Sequence, residues 1–189
     1  MKRRLLGMAA ALTLTIPAGL YALEFLEQDA CLDSGGAWFG QLGCQTDLPK
    51  IDRILIKKSQ RKLIALSGGK VAETMSVSLG REPVGQKHME GDSRTPEGLY
   101  RITEHKRDSR YYRALRLGYP INKQITKAKA LGVDPGGDIM IHGLPNGLGA
   151  LGRAHLWMDW TRGCIALTNG EVDWLYQSTP DGTVVEIYP

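Results

Sequence analysis

Apolar and polar positions first alternate at residues 51–58, where Ile54 and Ile56 oppose Arg53 and Lys57 and Leu55 breaks the phase. A period of two is that of a half-buried strand. Further strand-like runs at 61–67 and 71–79 are set off by Ser59-Gln60 and Gly68-Gly69, so the three predict an antiparallel meander. More strands are predicted at 99–104, 111–117, 138–142, 164–167 and 183–188. Asn122 predicts the cap of a helix over 123–131 that Gly132 stops, and Thr168-x-x-Glu171 predicts a capping box opening a helix over 172–177. Two long loops remain, 80–98 rich in Gly, Pro and charge, and 143–155 rich in Gly; loops of that length are commonly functional or mobile. The basic cluster Lys57, Lys58, Arg61 and Lys62 reads as a solvated hairpin turn.

Composition narrows the class. The chain has 189 residues, 42% hydrophobic and 23% charged, with 23 Gly and 9 Pro. That is an ordinary globular mix of single-domain length, too turn-rich for a coiled coil. Lys2, Arg3 and Arg4 precede an uncharged run from Leu5 to Leu23 in which Pro17 is followed by small residues, the pattern of an export signal. The run is also nearly the ~20 residues that span a bilayer. As a cleaved signal or a retained anchor, residues 1–22 predict an exported protein, in a periplasm or at the outer face of the cytoplasmic membrane. Without them the chain carries 21 basic against 20 acidic residues, so the pI near 9.0 is partly an N-terminal effect. That balance speaks against nucleic acid as a partner.

Export gives the cysteines meaning. Cys31 and Cys44 bracket a Gly-rich segment within residues 23–50 and are expected to pair, closing a loop that contributes about 3 kcal/mol. Cys164 is then left alone, and an idle exposed thiol outside the cytoplasm is oxidised. Upstream of it, an apolar strand ends at His142. Cysteine catalysis needs a thiolate, a base to make it and donors for the developing oxyanion. An imidazole is the usual base, and Gly163 allows a tight turn beside the sulfur.

The combination Ile141-His142-Gly143, a loop, then Thr161-Arg162-Gly163-Cys164-Ile165 resembles the L,D-transpeptidase catalytic domain of the YkuD type. Gly91-Asp92-Ser93-Arg94-Thr95-Pro96-Glu97-Gly98 resembles that family's upstream loop. The resemblance covers residues 51–189 and implies a single mostly-β domain, an antiparallel sandwich or barrel-like sheet with two short helices. It implies a cysteine-dependent L,D-transpeptidase acting on peptidoglycan tetrapeptide stems through a thioester, in cell-wall biogenesis and cell shape; the alternatives are a hydrolase of the same fold that cuts stem peptides or wall-protein links, and a non-catalytic wall-binding module. The acceptor would be an amine of a second peptide, a wall-attached protein or water. Neither metal nor organic cofactor is implied. By position Cys164 is the nucleophile, His142 its base and Gly143 a carbonyl holding the second ring nitrogen. Thr161 supports the loop or the imidazole, and Gly163 and Cys164 supply oxyanion amides. Many members have Arg two residues after the cysteine, where this chain has Ala166, so Arg94, Arg153 and Arg162 are candidates for holding a substrate carboxylate.

Competing readings are blander. Cys164 as a buried core thiol or His142 as a structural imidazole each account for one residue but not for the shared motif. A zinc site of His142, His155 and Cys164 lacks tight ligand spacing. Trp157 and Trp160 either line a substrate groove or pack beneath the cysteine loop. Asp134, Asp138 and Asp159 lie in turns where Asp favours backbone bonds.

Overall fold

The computed structural model describes residues 23–34 and 36–189, so the predicted export segment at 1–22 lies outside the described residues. Two compact units emerge. The first takes the described residues up to Trp38 together with Leu42–Asp47. It holds helix α1 (residues 23–33), which was not anticipated from the sequence, and a two-residue antiparallel ladder of β1 (Ala37–Trp38) with β2 (Cys44–Gln45). The expected disulfide joins Cys31 to Cys44. A Cβ at Gly36 would sit 2.7 Å from the Cys44 sulfur and 2.9 Å from that of Cys31, so only glycine lets the chain pass the bridge.

The second unit, Phe39–Gln41 with Leu48–Pro189, is mostly β. Its strands are β3 (Arg53–Lys57), β4 (Lys62–Ser67), β5 (Lys70–Ser76), β6 (Gly98–Ser109), β7 (Tyr112–Leu117), β8 (Met140–His142), β9 (Ile165–Ala166) and β10 (Val184–Tyr188). They form one eight-stranded sheet in the order β5-β4-β3-β10-β6-β7-β8-β9. Alternation places Ile54, Ile56, Leu63, Ala65, Val185 and Ile187 in the core. The sheet is mixed rather than antiparallel: β10 runs parallel to β3, and β9 parallel to β8. A parallel pair needs a long crossover, which the meander pattern does not reveal; residues 143–164 supply it between β8 and β9.

Helix α2 (Asn122–Ala130) starts at the residue expected to cap it, the Ile121 amide being satisfied at 3.0 Å by the Gln124 side chain. Helix α3 (Asn169–Ser178) begins directly after Thr168, whose hydroxyl accepts from the Glu171 amide while Glu171 accepts from the Thr168 amide. This capping box starts the helix three residues ahead of Val172 and directs Val172 and Leu175 into the core.

Both loops are more ordered than their composition suggests. Residues 149–157 form short 3-10 turns kinked at Gly152. The 80–98 loop is tied to the body by Lys58, which is 2% exposed instead of solvated. Its Nζ donates to the carbonyls of Gly85 (2.6 Å) and Thr95 (3.1 Å) and to Glu97 (2.7 Å). Within the loop, Lys87 pairs with Asp92 at 2.7 Å, and Asp92 also accepts from the amides of His88, Met89 and Arg94. The predicted strand 71–79 is divided: its end leaves β4 and bridges to the cysteine segment through Ser78–Ala166 and Gly80–Thr161.

Candidate active site

His142 ends β8, opposite Ala114 of β7 and Ala166 of β9, and is 3% exposed. Its Nδ1 lies 2.7 Å from the Gly143 carbonyl, a contact that fixes the proton on Nδ1 and leaves Nε2 as the acceptor. Tyr111 covers the imidazole at a centroid distance of 4.4 Å, and Trp160 meets it edgewise at 5.8 Å. Burial lowers the His142 pKa from 6.5 to about 4, against the opposing pull of the Gly143 carbonyl, so the ring is neutral at pH 7.

Cys164 lies just before β9 on a turn stapled by Thr161. The Thr161 hydroxyl donates to the Cys164 carbonyl (2.8 Å) and accepts from the Gly163 amide (3.1 Å). Thr161 therefore supports the loop. The Gly163 amide, expected as an oxyanion donor, is engaged in that staple; the Cys164 amide makes no hydrogen bond among the described residues. Gly163 has φ +127°, and a Cβ there would lie 2.7 Å from the Arg94 carbonyl. Glycine is required on both counts. Gly80 is as tightly confined, with a would-be Cβ 2.1 Å from the Ser93 carbonyl and 3.1 Å from Gly163 Cα, so the 91–98 loop backs directly onto the cysteine turn. The Cys164 Sγ is 3.5 Å from the Asp138 carbonyl. Burial pushes its pKa up, partly offset by a backbone hydrogen bond with Met140 and the charge of Lys87. At neutral pH the two groups are thus thiol and neutral imidazole.

His142, Cys164, Thr161, Trp160 and Arg162 line one cleft of about 380 Å³, together with Arg81, Arg110 and Tyr111. A smaller cleft of about 190 Å³, which shares Cys164 and Arg162 with the first, lies between Lys87, Glu90 and the Gly136–Asp138 turn. Trp160 is thus a cleft residue, while Trp157 is 88% exposed and borders an apolar hollow that Trp160 also lines but the cleft's other residues do not. Arg94 and Arg153 line neither cleft. The Arg94 guanidinium turns toward the Gln86 carbonyl at 3.5 Å, and Arg153 pairs with Glu171 at 3.6 Å. His155 is buried behind Trp160 rather than beside Cys164: Ser78 Oγ donates to its carbonyl (2.9 Å) and faces its Nδ1 (3.2 Å). Asp159 braces the segment before the cysteine, accepting from Arg61 (2.7–3.1 Å) and from the Leu79 amide (2.8 Å). Arg81, Arg110 and Tyr111 carried no sequence signal, because the segments that bring them to the cleft meet only in the folded chain.

A buried imidazole and a stapled Gly-Cys turn at adjacent parallel strands match a known class. The family model described as the L,D-transpeptidase catalytic domain, YkuD, matches residues 51–187, and the chain belongs to that family. Among curated proteins, YafK of Escherichia coli strain K12, named for the same family, is 31% identical over 115 residues, 56% of this chain and 39% of YafK. Among solved structures, the helical cell shape determining protein Pgp2 of Campylobacter jejuni aligns with TM-score 0.54 and 25% identity, over 85% of this chain and 54% of Pgp2. Bd1075 of Bdellovibrio bacteriovorus shares the fold, with TM-score 0.51 and 20% identity over 75% of this chain and 48% of Bd1075. The chain spans 39% of the length of the curated relatives it matches.

Proposed function

We propose that the chain is a cysteine-dependent L,D-transpeptidase acting on peptidoglycan tetrapeptide stems, with residues 51–189 as its catalytic domain and 23–50 as a disulfide-bearing appendage. The observation that carries this reading is that Cys164 and His142 open into one cleft while the far nitrogen of the imidazole is tied to the Gly143 carbonyl. His142 Nε2 takes the Cys164 proton as sulfur attacks the carbonyl of the L-centre of the stem's diamino acid. The Cys164 amide steadies the oxyanion. The imidazolium then protonates the departing amine, releasing the terminal D-residue and leaving a thioester on Cys164. An incoming amine, deprotonated by His142, attacks the thioester to form the new amide and return the thiol.

The substrate lies outside the cytoplasmic membrane, which agrees with export by residues 1–22. No described helix is long and apolar enough to cross a membrane. The likeness to Pgp2, named for determining cell shape, supports a role in shaping the wall.

The test is product analysis with purified disaccharide-tetrapeptide. Crosslinked dimers absent with Cys164→Ala support the transferase; shortened peptides alone identify a hydrolase of the same fold. No turnover by wild type, or equal turnover by Cys164→Ala, overturns the reading.

A further inference from the structure

We propose that Arg81 and Arg110 bind the C-terminal carboxylate of the stem peptide and so make the cleft selective for a free acid one residue beyond the bond that is cut. The identity of the peptide rests on the transpeptidase reading; the charge of the cleft does not. Three arginines, Arg81, Arg110 and Arg162, line the cleft that holds Cys164 and His142, and no acidic side chain lines it. Each is exposed, and none makes an ion pair among the described residues. Arg94, Arg101 and Arg107 also lack a carboxylate partner among the described residues, but they are scattered and line neither cleft at Cys164, whereas Arg81, Arg110 and Arg162 converge on one. The cations left without partners in the cleft await an anion from outside.

Their roots are fixed. The Arg81 amide donates to the Thr161 carbonyl at 3.1 Å, just past the Gly80–Thr161 bridge, which holds Arg81 against the turn that carries the nucleophile. The Arg110 carbonyl accepts from the Asn146 amide at 3.0 Å, and the next residue, Tyr111, packs on the imidazole. One arginine therefore has its backbone anchored beside the sulfur's turn and the other beside the base, and both side chains line the cleft. No cation comes from β9, whose two residues are Ile165 and Ala166. A tetrapeptide necessarily ends in a carboxylate, and a guanidinium fork matches that group with two parallel hydrogen bonds. A peptide lengthened by one residue, or amidated at its end, would leave these arginines facing a neutral amide.

The first measurement needs no turnover. Cys164 is the chain's free thiol, so alkylation read by intact mass reports on it alone. The rate ratio of iodoacetate to iodoacetamide cancels changes in thiol reactivity and reads attraction for a carboxylate. We expect that ratio to fall about tenfold in R81Q/R110Q and to be largely kept in R81K/R110K. The second measurement compares tetrapeptide acid with its C-terminal amide. We expect KM to rise at least tenfold for the amide with wild type, and for the acid with R81Q/R110Q, without a further rise when both changes are combined. An unchanged alkylation ratio in R81Q/R110Q, or equal KM for acid and amide with wild type, overturns the proposal. If peptides are turned over but the ratio does not respond, the carboxylate assignment fails and the transpeptidase reading stands. If the ratio responds but no peptide is turned over, the anion-selective cleft stands and the transpeptidase reading fails.

Discussion

Replacing Lys58 with methionine tests how the 80–98 loop is held. Methionine keeps the length of the stem, so no sizeable cavity opens, and what is lost is one charge with three acceptors. Two are backbone carbonyls and the third is Glu97, whose side chain is 19% exposed. Hydrogen bonds from a charged group contribute about 1.5–3 kcal/mol each, but bonds that share one nitrogen do not add. Removing one partner of a buried ion pair costs about 3–5 kcal/mol. Because Glu97 can regain some water, the lower end applies, about 3 kcal/mol. With a urea slope of about 2 kcal/mol/M, the unfolding midpoint should fall by about 1.5 M. Urea titration followed by tryptophan fluorescence reads this directly. A shift under about 0.3 M would refute the idea that Lys58 fastens the loop.

Three more outcomes follow from the site's geometry. Gly163→Ala combines an unfavourable φ with a clash at the Arg94 carbonyl and should cost about 2–4 kcal/mol, lowering Tm by about 5–12 °C; calorimetry showing a change under 2 °C contradicts it. Thr161→Val removes both staple bonds and should destabilise by about 1–3 kcal/mol, with Thr161→Ser restoring most of the loss; equal stabilities in thermal melts would remove the staple from the account. His142 has its folded pKa lowered from 6.5 to about 4, so between these values the unfolded chain binds more protons. Stability should therefore decline as pH drops from 6.5 toward 4, by up to about 3 kcal/mol from this residue, and the slope should flatten in His142→Asn. Matching slopes for the two proteins in urea titrations across that range would show that His142 is not buried neutral.

Local patterns in the chain were legible where contacts are local. Ile54 and Ile56 set against Arg53 and Lys57 announced the buried face of β3 despite the break at Leu55, and Thr168-x-x-Glu171 announced the start of α3, though the helix opens at Asn169 because a cap lies outside the turn it begins. The Thr-x-Gly-Cys turn could be read because its staple closes within three residues. Lys58 looked solvated because its acceptors lie 27 to 39 residues further on. The parallel pairing of β10 with β3 joins the two ends of the second unit, which no window of sequence spans. Arg94 drew notice by sitting in a recognisable loop, yet that loop contributes its backbone, with the Arg94 carbonyl packed on Gly163. Arg81 arrives instead through the Gly80–Thr161 bridge, a contact between residues 81 positions apart in the chain.

The most direct measurement is the mass of the protein quenched during reaction with a tetrapeptide stem. The account predicts a tripeptide acyl adduct that maps to Cys164, is absent in Cys164→Ala, and disappears when an amine acceptor is added. Product formation by Cys164→Ala, or an adduct on any other residue of wild type, would contradict it.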